Sequence, residues 1–252
     1  MKAMVLAAGL GTRLRPLTND RPKALVEIGG RTLLEITLTR LRDFGVREVI
    51  INVHHFGDMI ETYLKAKNNF GMRVEISRED GLLDSGGGLK KAGHFFCDNS
   101  GMGDLGREEP FILHNVDVIS NLDFKQMLKF HAEKDALATL AVQDRPTSRY
   151  LLFDDSLQLC GRQAGRDGKP ELVRPAQTQQ LLAFSGIHVI SPRFLTMMTE
   201  RGAFSIIDSY LRVASQGEKI LAFRADKYYW RDLGRPEQVA QAAEDVARGI
   251  LH

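Results

Sequence analysis

Apolar residues arrive along this chain in short unbroken runs, separated by longer stretches in which they recur every three or four positions. The first run, Met4-Val5-Leu6-Ala7-Ala8, has no polar interruption and reads as a strand buried on both faces over residues 1–8. Residues 33–44 set Leu34, Leu38 and Leu41 on one face, and Gly45 follows as a natural terminator, so a helix is expected there. A strand over 48–53, a helix over 59–66 and strands over 71–76, 110–118 and 136–142 follow in turn. Strands alternating with helices of this size predict an α/β fold with a doubly wound, mixed, mostly parallel sheet flanked by helices. In such sheets ligands gather beyond the carboxyl ends of the strands.

The pattern changes twice. Residues 99–109 are polar and glycine-bearing, as in an exposed loop. Residues 144–175 are rich in charges and turns (Asp154-Asp155, Gly161, Asp167-Gly168), which suggests hairpins or an insertion beside a site. Helices resume at Pro192 and at Ser205, with Asp208 in a capping-box-like position. Short strands are expected over 220–223 and 228–231, and Pro236 opens a last amphipathic helix to residue 250. No internal repeat or low-complexity tract interrupts the 252 residues, which are read as one domain.

Composition narrows the function classes. Hydrophobic residues at 43% and charged ones at 26% are ordinary for a soluble globular protein. A formal net charge of +2 is too small for a nucleic-acid surface, so any positive charge that matters is local. Cys97 and Cys160 show neither metal spacing nor a disulfide framework, which favours a reducing cytoplasm. Lys2 and the apolar run after it mimic a signal peptide but are too short for one, and no window approaches a membrane span.

The densest chemistry lies where the first strand ends. Gly9 and Gly11 lack Cβ, so backbone N–H groups there can approach an anion; Thr12 adds a hydroxyl, Arg13 a planar fork and Lys23 a mobile point charge. That is a polyphosphate site. It is not a Walker loop, which needs Gly-Lys-Ser/Thr, and Leu14 stands where a dinucleotide fingerprint has its third glycine. Taken alone, the two glycines also fit a plain strand-to-helix turn.

The longer pattern is more specific. Residues 6–18, of the form L-A-A-G-x-G-T-R-L-x-P-L-T, with Pro22-Lys23-Ala24-Leu25 and Gly29-Gly30-Arg31-Thr32, resemble the signature of the sugar-1-phosphate nucleotidyltransferases. The resemblance implies a Rossmann-like domain with a nucleotide-binding half over 1–142, a small sugar-binding subregion over 143–235 and a C-terminal helix over 236–252. It implies a nucleoside triphosphate and a sugar 1-phosphate as partners, with Mg²⁺ as cofactor. Ala7, Ala8, Gly9, Gly11 and Thr12 would meet the nucleotide, Arg13 the leaving β- and γ-phosphates, and Lys23 the α-phosphate.

Four further clusters carry the resemblance. Asp84-Ser85-Gly86-Gly87-Gly88 is similar to the loop that closes over the base, which favours base or ribose contacts for Ser85, Gly86 and Gly87; by itself it is a flexible turn. His114-Asn115-Val116-Asp117 resembles the family's Asn-Gly-Asp or Asn-Ser-Asp, with Asn115 toward the sugar and Asp117 as a metal ligand. Val116 departs from the small residue usual there. Trp230-Arg231-Asp232-Leu233-Gly234-Arg235-Pro236-Glu237 is similar to W-x-D-x-G-x-P-E, whose acid, here Asp232, is the other metal ligand. Phe184-Ser185-Gly186-Ile187 resembles a stretch of the branch that contains the N-acetylmuramate-1-phosphate uridylyltransferases and mannose-1-phosphate guanylyltransferases, with Ser185 and Gly186 toward the sugar hydroxyls; a strand bulge at Gly186 fits equally.

One expected part is absent. Many relatives carry a second lysine, in Glu-Lys-Pro, on the sugar phosphate; here Arg174-Pro175 and Lys169-Pro170 are the available substitutes. No appended hexapeptide-repeat domain, of the sort some relatives carry, is expected after the last helix. The reading favours UTP and an N-acetylmuramate-like sugar phosphate, with a mannose- or heptose-1-phosphate guanylyltransferase as the alternative. A non-catalytic NDP-sugar-binding subunit is the rival from another class. Nothing in the sequence separates a monomer from a homo-oligomer.

Overall fold

In the computed structural model, which describes residues 1–97 and 109–250, the first apolar run forms β1 (Lys2–Leu6), with Ala3, Met4 and Val5 fully buried. Two 3-10 turns, Thr12–Leu14 and Lys23–Leu25, and a small hairpin of β2 (Glu27–Ile28) and β3 (Arg31–Thr32) lead to α1 (Leu33–Phe44). The Thr32 hydroxyl caps α1 by accepting from the Glu35 N–H at 3.0 Å, and Gly45 ends it at φ 114°. Next come β4 (Glu48–Val53), α2 (Gly57–Ala66), β5 (Arg73–Arg78), α3 (Asp84–Lys91) and β6 (Phe111–Asn115). β7 (Val118–Ser120), α4 (Phe124–Lys134) and β8 (Ala138–Gln143) follow. Beyond them lie β9 (Arg149–Phe153), β10 (Leu159–Ala164), β11 (Glu171–Leu172) and the long β12 (Gln180–Ile190). The chain then forms α5 (Arg193–Met197), α6 (Ile206–Ser215), β13 (Ile220–Arg224), β14 (Trp230–Asp232) and α7 (Pro236–Ala247).

The main sheet is mixed. Along β5-β4-β1-β6-β12-β8-β13, six strands run one way and β12 alone runs against them. Successive residues of β1 and β4 serve opposite faces: Ala3, Val5, Val49 and Ile51 join one apolar cluster, Met4 and Ile50 the other. Both faces are therefore covered, as the unbroken apolar runs require.

The strand β12 joins this sheet to a second, antiparallel arm. Its residues Ile187–Ile190 pair with β6, and Gln180–Ala183 pair with β9, which continues into β10 and β11. Where the neighbour changes, the register of β12 against β8 shifts between Phe184 and His188. Gly186 sits in this irregularity at φ +74°, and a Cβ there would lie 2.8 Å from the Val118 side chain and 3.0 Å from Asn115 Nδ2. The carboxyl end of β6 and the start of β9 thus stand apart, and a cleft opens between them.

Three local expectations need correction. The glycines at 86–88 are not in a loop: α3 begins at Asp84 and contains them. A Cβ on Gly86 would come 2.3 Å from the Phe204 ring, and one on Gly87 2.5 Å from the Gly202 carbonyl oxygen, so close packing against 202–204 explains their size. The helix α4 had no counterpart in the sequence reading, and the last helix stops at Ala247. The loop expected over 99–109 lies almost wholly outside the described residues. Among the described residues, no helix is long and apolar enough to cross a membrane.

Candidate active site

Beyond the carboxyl end of β1 lies a cleft of about 610 Å³. Ala7, Ala8, Gly9, Gly11 and Thr12 line it, followed by Arg13 and Lys23. Gly11 adopts φ +65° at the start of the first 3-10 turn, and a Cβ there would meet the Thr18 methyl at 3.1 Å, so the loop admits no other residue without strain. The Thr18 hydroxyl donates to the Gly11 carbonyl at 2.8 Å and fixes the turn. Lys23, buried to 8% exposure, reaches from the second turn to the Asp117 carboxylate. Arg13 stands exposed beside Gly234, whose added Cβ would lie 3.2 Å from its Nη2.

The two acids singled out from distant segments are brought together. β7 and β14 pair antiparallel with Asp232 opposite Val118, and the Leu233 N–H donates to the Asp117 carbonyl at 2.9 Å. Burial, then the Asp117 charge, hold the Asp232 carboxyl above its ordinary value, while Lys23 and Arg13 pull the other way. Oδ1 of Asp232 is buried and has no hydrogen-bond partner. A carboxylate oxygen removed from water without a donor in return is a position that a cation satisfies. Among the described residues no cluster of three or more His, Cys, Asp or Glu is placed to hold a metal. Two carboxylates therefore fit a divalent ion that completes its shell with phosphate and water, not a permanently caged one.

Several supporting residues escaped the sequence reading. Asn52, at the end of β4, accepts from the Ala7 N–H at 2.8 Å and donates to Glu79 at 2.7 Å; Glu79 in turn accepts from the Leu83 N–H at 3.0 Å. This buried chain ties the end of β1 to the start of α3. Leu10 and Leu82 line the same end at 44% and 42% exposure, leaving apolar surface open to the cleft. A polar residue closing an apolar run, as Asn52 does after Ile50-Ile51, was the available signal.

A second cleft of about 640 Å³ shares Asp84, Ser85, Asn115 and Asp117 with the first, so the two are halves of one groove meeting at the acids. Ser185, Gly186, Tyr150, Arg145, Trp230 and Asp232 line this half. The Ser185 carbonyl accepts from Trp230 Nε1 at 2.7 Å, while its own hydroxyl is buried without a partner. Ser85 lines both halves, and its hydroxyl accepts from the Ile206 N–H at 3.1 Å. Gly86 and Gly87, expected to touch the nucleotide, are buried behind it and line neither half. Val116 is buried and donates its N–H to the Leu6 carbonyl at 3.1 Å. Of the substitutes for the absent lysine, Arg174 pairs with Asp154 at 3.5 Å and Lys169 is exposed, and neither lines the groove. His54 bonds the Glu79 carbonyl at 2.8 Å and the His55 ring lies tilted at 43° against Phe56, so both engage neighbouring loop residues.

A groove in two halves at the carboxyl edge of a parallel sheet, with two acids at the join, is the layout of an enzyme that brings two ligands end to end. The profile of the family described as Nucleotidyl transferase matches residues 2–249, and the chain belongs to that family. It is 35% identical over 252 residues to the N-acetylmuramate alpha-1-phosphate uridylyltransferase of Caulobacter vibrioides, covering 96% of this chain and 95% of the relative. It is 30% identical over 240 residues to the mannose-1-phosphate guanyltransferase beta-B of Xenopus laevis, covering 94% of this chain but only 62% of that relative's length. The fold matches that of HddC from Yersinia pseudotuberculosis, solved with GMP-PN, at TM-score 0.75 and 23% identity, over 97% of this chain and 99% of the other. Within the family, the chain falls among the sugar-1-phosphate nucleotidyltransferases, as its opening residues led one to expect.

Proposed function

We propose that the chain makes a UDP-sugar from UTP and an N-acetylmuramate-like sugar 1-phosphate, using Mg²⁺, in the cytoplasm. The observation that carries the site assignment is the convergence of Asp117, Asp232, Lys23 and Arg13 where the two half-clefts meet. The relative from Caulobacter, matched along nearly its whole length, supports the choice of substrates.

The reaction needs no protein nucleophile. An oxygen of the sugar phosphate forms a bond to the α-phosphorus of the triphosphate, the bond from that phosphorus to the bridging oxygen breaks, and pyrophosphate leaves with the electron pair. Catalysis then rests on holding the two ligands in line and on neutralising charge. Arg13 and the turn from Gly11 hold the leaving phosphates. Lys23 draws off charge at the α-phosphate and, once the triphosphate is in place, exchanges its bond to Asp117 for one to phosphate. Asn115, Ser185 and Gly186 orient the sugar. Asp117 and Asp232 hold Mg²⁺, which when bound offsets the charge of the phosphate oxygens.

The Xenopus relative supports a second reading, in which GTP and mannose 1-phosphate are the substrates, with heptose 1-phosphate as its variant. Pyrophosphate release across the four NTPs and a panel of sugar 1-phosphates decides between them. The first reading predicts the highest kcat/KM with UTP and N-acetylmuramate 1-phosphate. No release with any pair would overturn both and leave the non-catalytic binder.

A further inference from the structure

The groove contains a cation that the motif-based reading never considered. Arg145 follows β8 and lies over Trp230, its guanidinium carbon 3.6 Å from the ring centroid. Nη2 donates to the Phe184 carbonyl at 2.8 Å. Nε is buried and has no hydrogen-bond partner. No described carboxylate forms an ion pair with it. The neighbouring cations differ. Arg162 is engaged by Glu171 at 2.7 Å and Asp208 at 2.9 Å, and Arg149 is exposed at the rim.

A guanidinium has five donors in a rigid fork, and here one donor bonds a carbonyl while another is withheld from water with nothing to bond. Such a group is costly until an anion meets it. Arg145 lines the sugar half of the groove beside Asp232 and Asn115, away from the glycine loop that serves the triphosphate. The contact with Trp230 and the bond to Phe184 hold the guanidinium in place before any ligand arrives, so little side-chain freedom is left to lose on binding.

We propose that Arg145 binds the phosphate of the incoming sugar 1-phosphate, in the place of the lysine that this chain lacks, and holds its attacking oxygen toward the α-phosphorus. The proposal rests on the reaction assigned above. Burial lowers the readiness of Arg145 to stay charged and the nearby Asp232 supports it, which suits a cation awaiting a second anion.

Trp230 is the only tryptophan in the chain, so the ring beneath Arg145 is a built-in reporter. Wild type, Arg145→Gln, Arg145→Lys and Arg149→Gln are titrated with N-acetylmuramate 1-phosphate and mannose 1-phosphate, and with the matching free sugars. A non-hydrolysable NTP analogue and Mg²⁺ are present throughout, and tryptophan emission is followed. KM values for both substrates are taken in parallel. In wild type the phosphate ester should change the emission saturably and the free sugar should not. Arg145→Gln should raise the KM for the sugar phosphate about 10- to 100-fold, the worth of a charged hydrogen bond, and leave that for the NTP within about twofold. Arg145→Lys should recover part of the loss and Arg149→Gln should show none. An unchanged sugar-phosphate KM in Arg145→Gln, an equal rise in both KM values, or the loss appearing in Arg149→Gln would each overturn the assignment while the wild-type reaction stands. A wild type silent with every substrate pair would instead remove the reaction itself, and this proposal with it.

Discussion

Replacing Asp232 by asparagine should give a protein that is more stable without metal and nearly inactive. Oδ1 of Asp232 is buried without a hydrogen-bond partner, and the charge on Asp117 raises the cost of ionising it. An unsatisfied buried polar group costs about 1–3 kcal/mol, and Lys23 and Arg13 offset part of this. Asparagine has the same shape and leaves a neutral polar atom unpaired there, so only the excess cost of a charged over a neutral unpaired group is regained, a net gain of about 1–2 kcal/mol. In a chain of 252 residues each kcal/mol moves Tm by about 2–4 °C, which makes the rise about 2–8 °C in EDTA.

The pH dependence fixes the sign. The folded carboxyl titrates above the unfolded value of 3.8, so its ionised form opposes folding at neutral pH. That penalty fades as pH falls through the raised folded value and is gone below the unfolded one. The difference in Tm between variant and wild type, followed by calorimetry, should therefore narrow as pH is lowered from neutral toward 3.8. Magnesium with a non-hydrolysable NTP analogue should reverse the order, since only the wild type gains fully from the bound ion. Turnover should fall by about two decades or more. A variant that melts below wild type in EDTA, or that gains as much from magnesium and analogue, would refute the reasoning.

Other substitutions test other parts of the design. Asp117→Asn should act oppositely on stability, because it leaves the buried ammonium of Lys23 without its partner; chemical denaturation should show a loss of about 1–3 kcal/mol. Arg13→Ala should leave the unfolding midpoint nearly unchanged and cut pyrophosphate release by about two decades, and near-normal turnover would remove it from the phosphate site. Gly87→Ala places a methyl 2.5 Å from the Gly202 carbonyl oxygen, so the unfolding free energy should drop by about 1–3 kcal/mol, and a neutral result would mean that α3 does not pack as described. Burial lowers His114 and His131 from 6.5 to about 4 and, with the charge of His114 added, His188 to about 3. Their contribution is complete above pH 6.5 and is lost as pH falls below it, by up to about 1.4 kcal/mol per pH unit for each histidine. Urea midpoints that stay flat from pH 7 to 5 would contradict this.

Local physics was legible from the residues alone. The unbroken apolar run of β1, the spacing of Leu34, Leu38 and Leu41 in α1, and Gly45 after it follow from period and backbone freedom, which neighbours in sequence decide. The glycine turn that brings Arg13 and Lys23 to the cleft was legible for the same reason, since the backbone freedom that Gly11 supplies acts within a few consecutive residues. The α3 glycines misled, because a glycine needed for close packing against Phe204 looks in sequence like one needed for a turn. Long-range pairing left no such record. That Asp117 meets Asp232 is decided by β7 lying against β14, and that the groove has two halves is decided by β12 changing neighbours at Gly186. Arg145 belongs with these: in sequence it is one arginine among many charges, and only its place over Trp230, with one nitrogen buried and unpaired, sets it apart. Periodicity and backbone freedom act over a few residues and can be read along the chain, whereas burial and charge coupling belong to groups that meet only once the chain has folded.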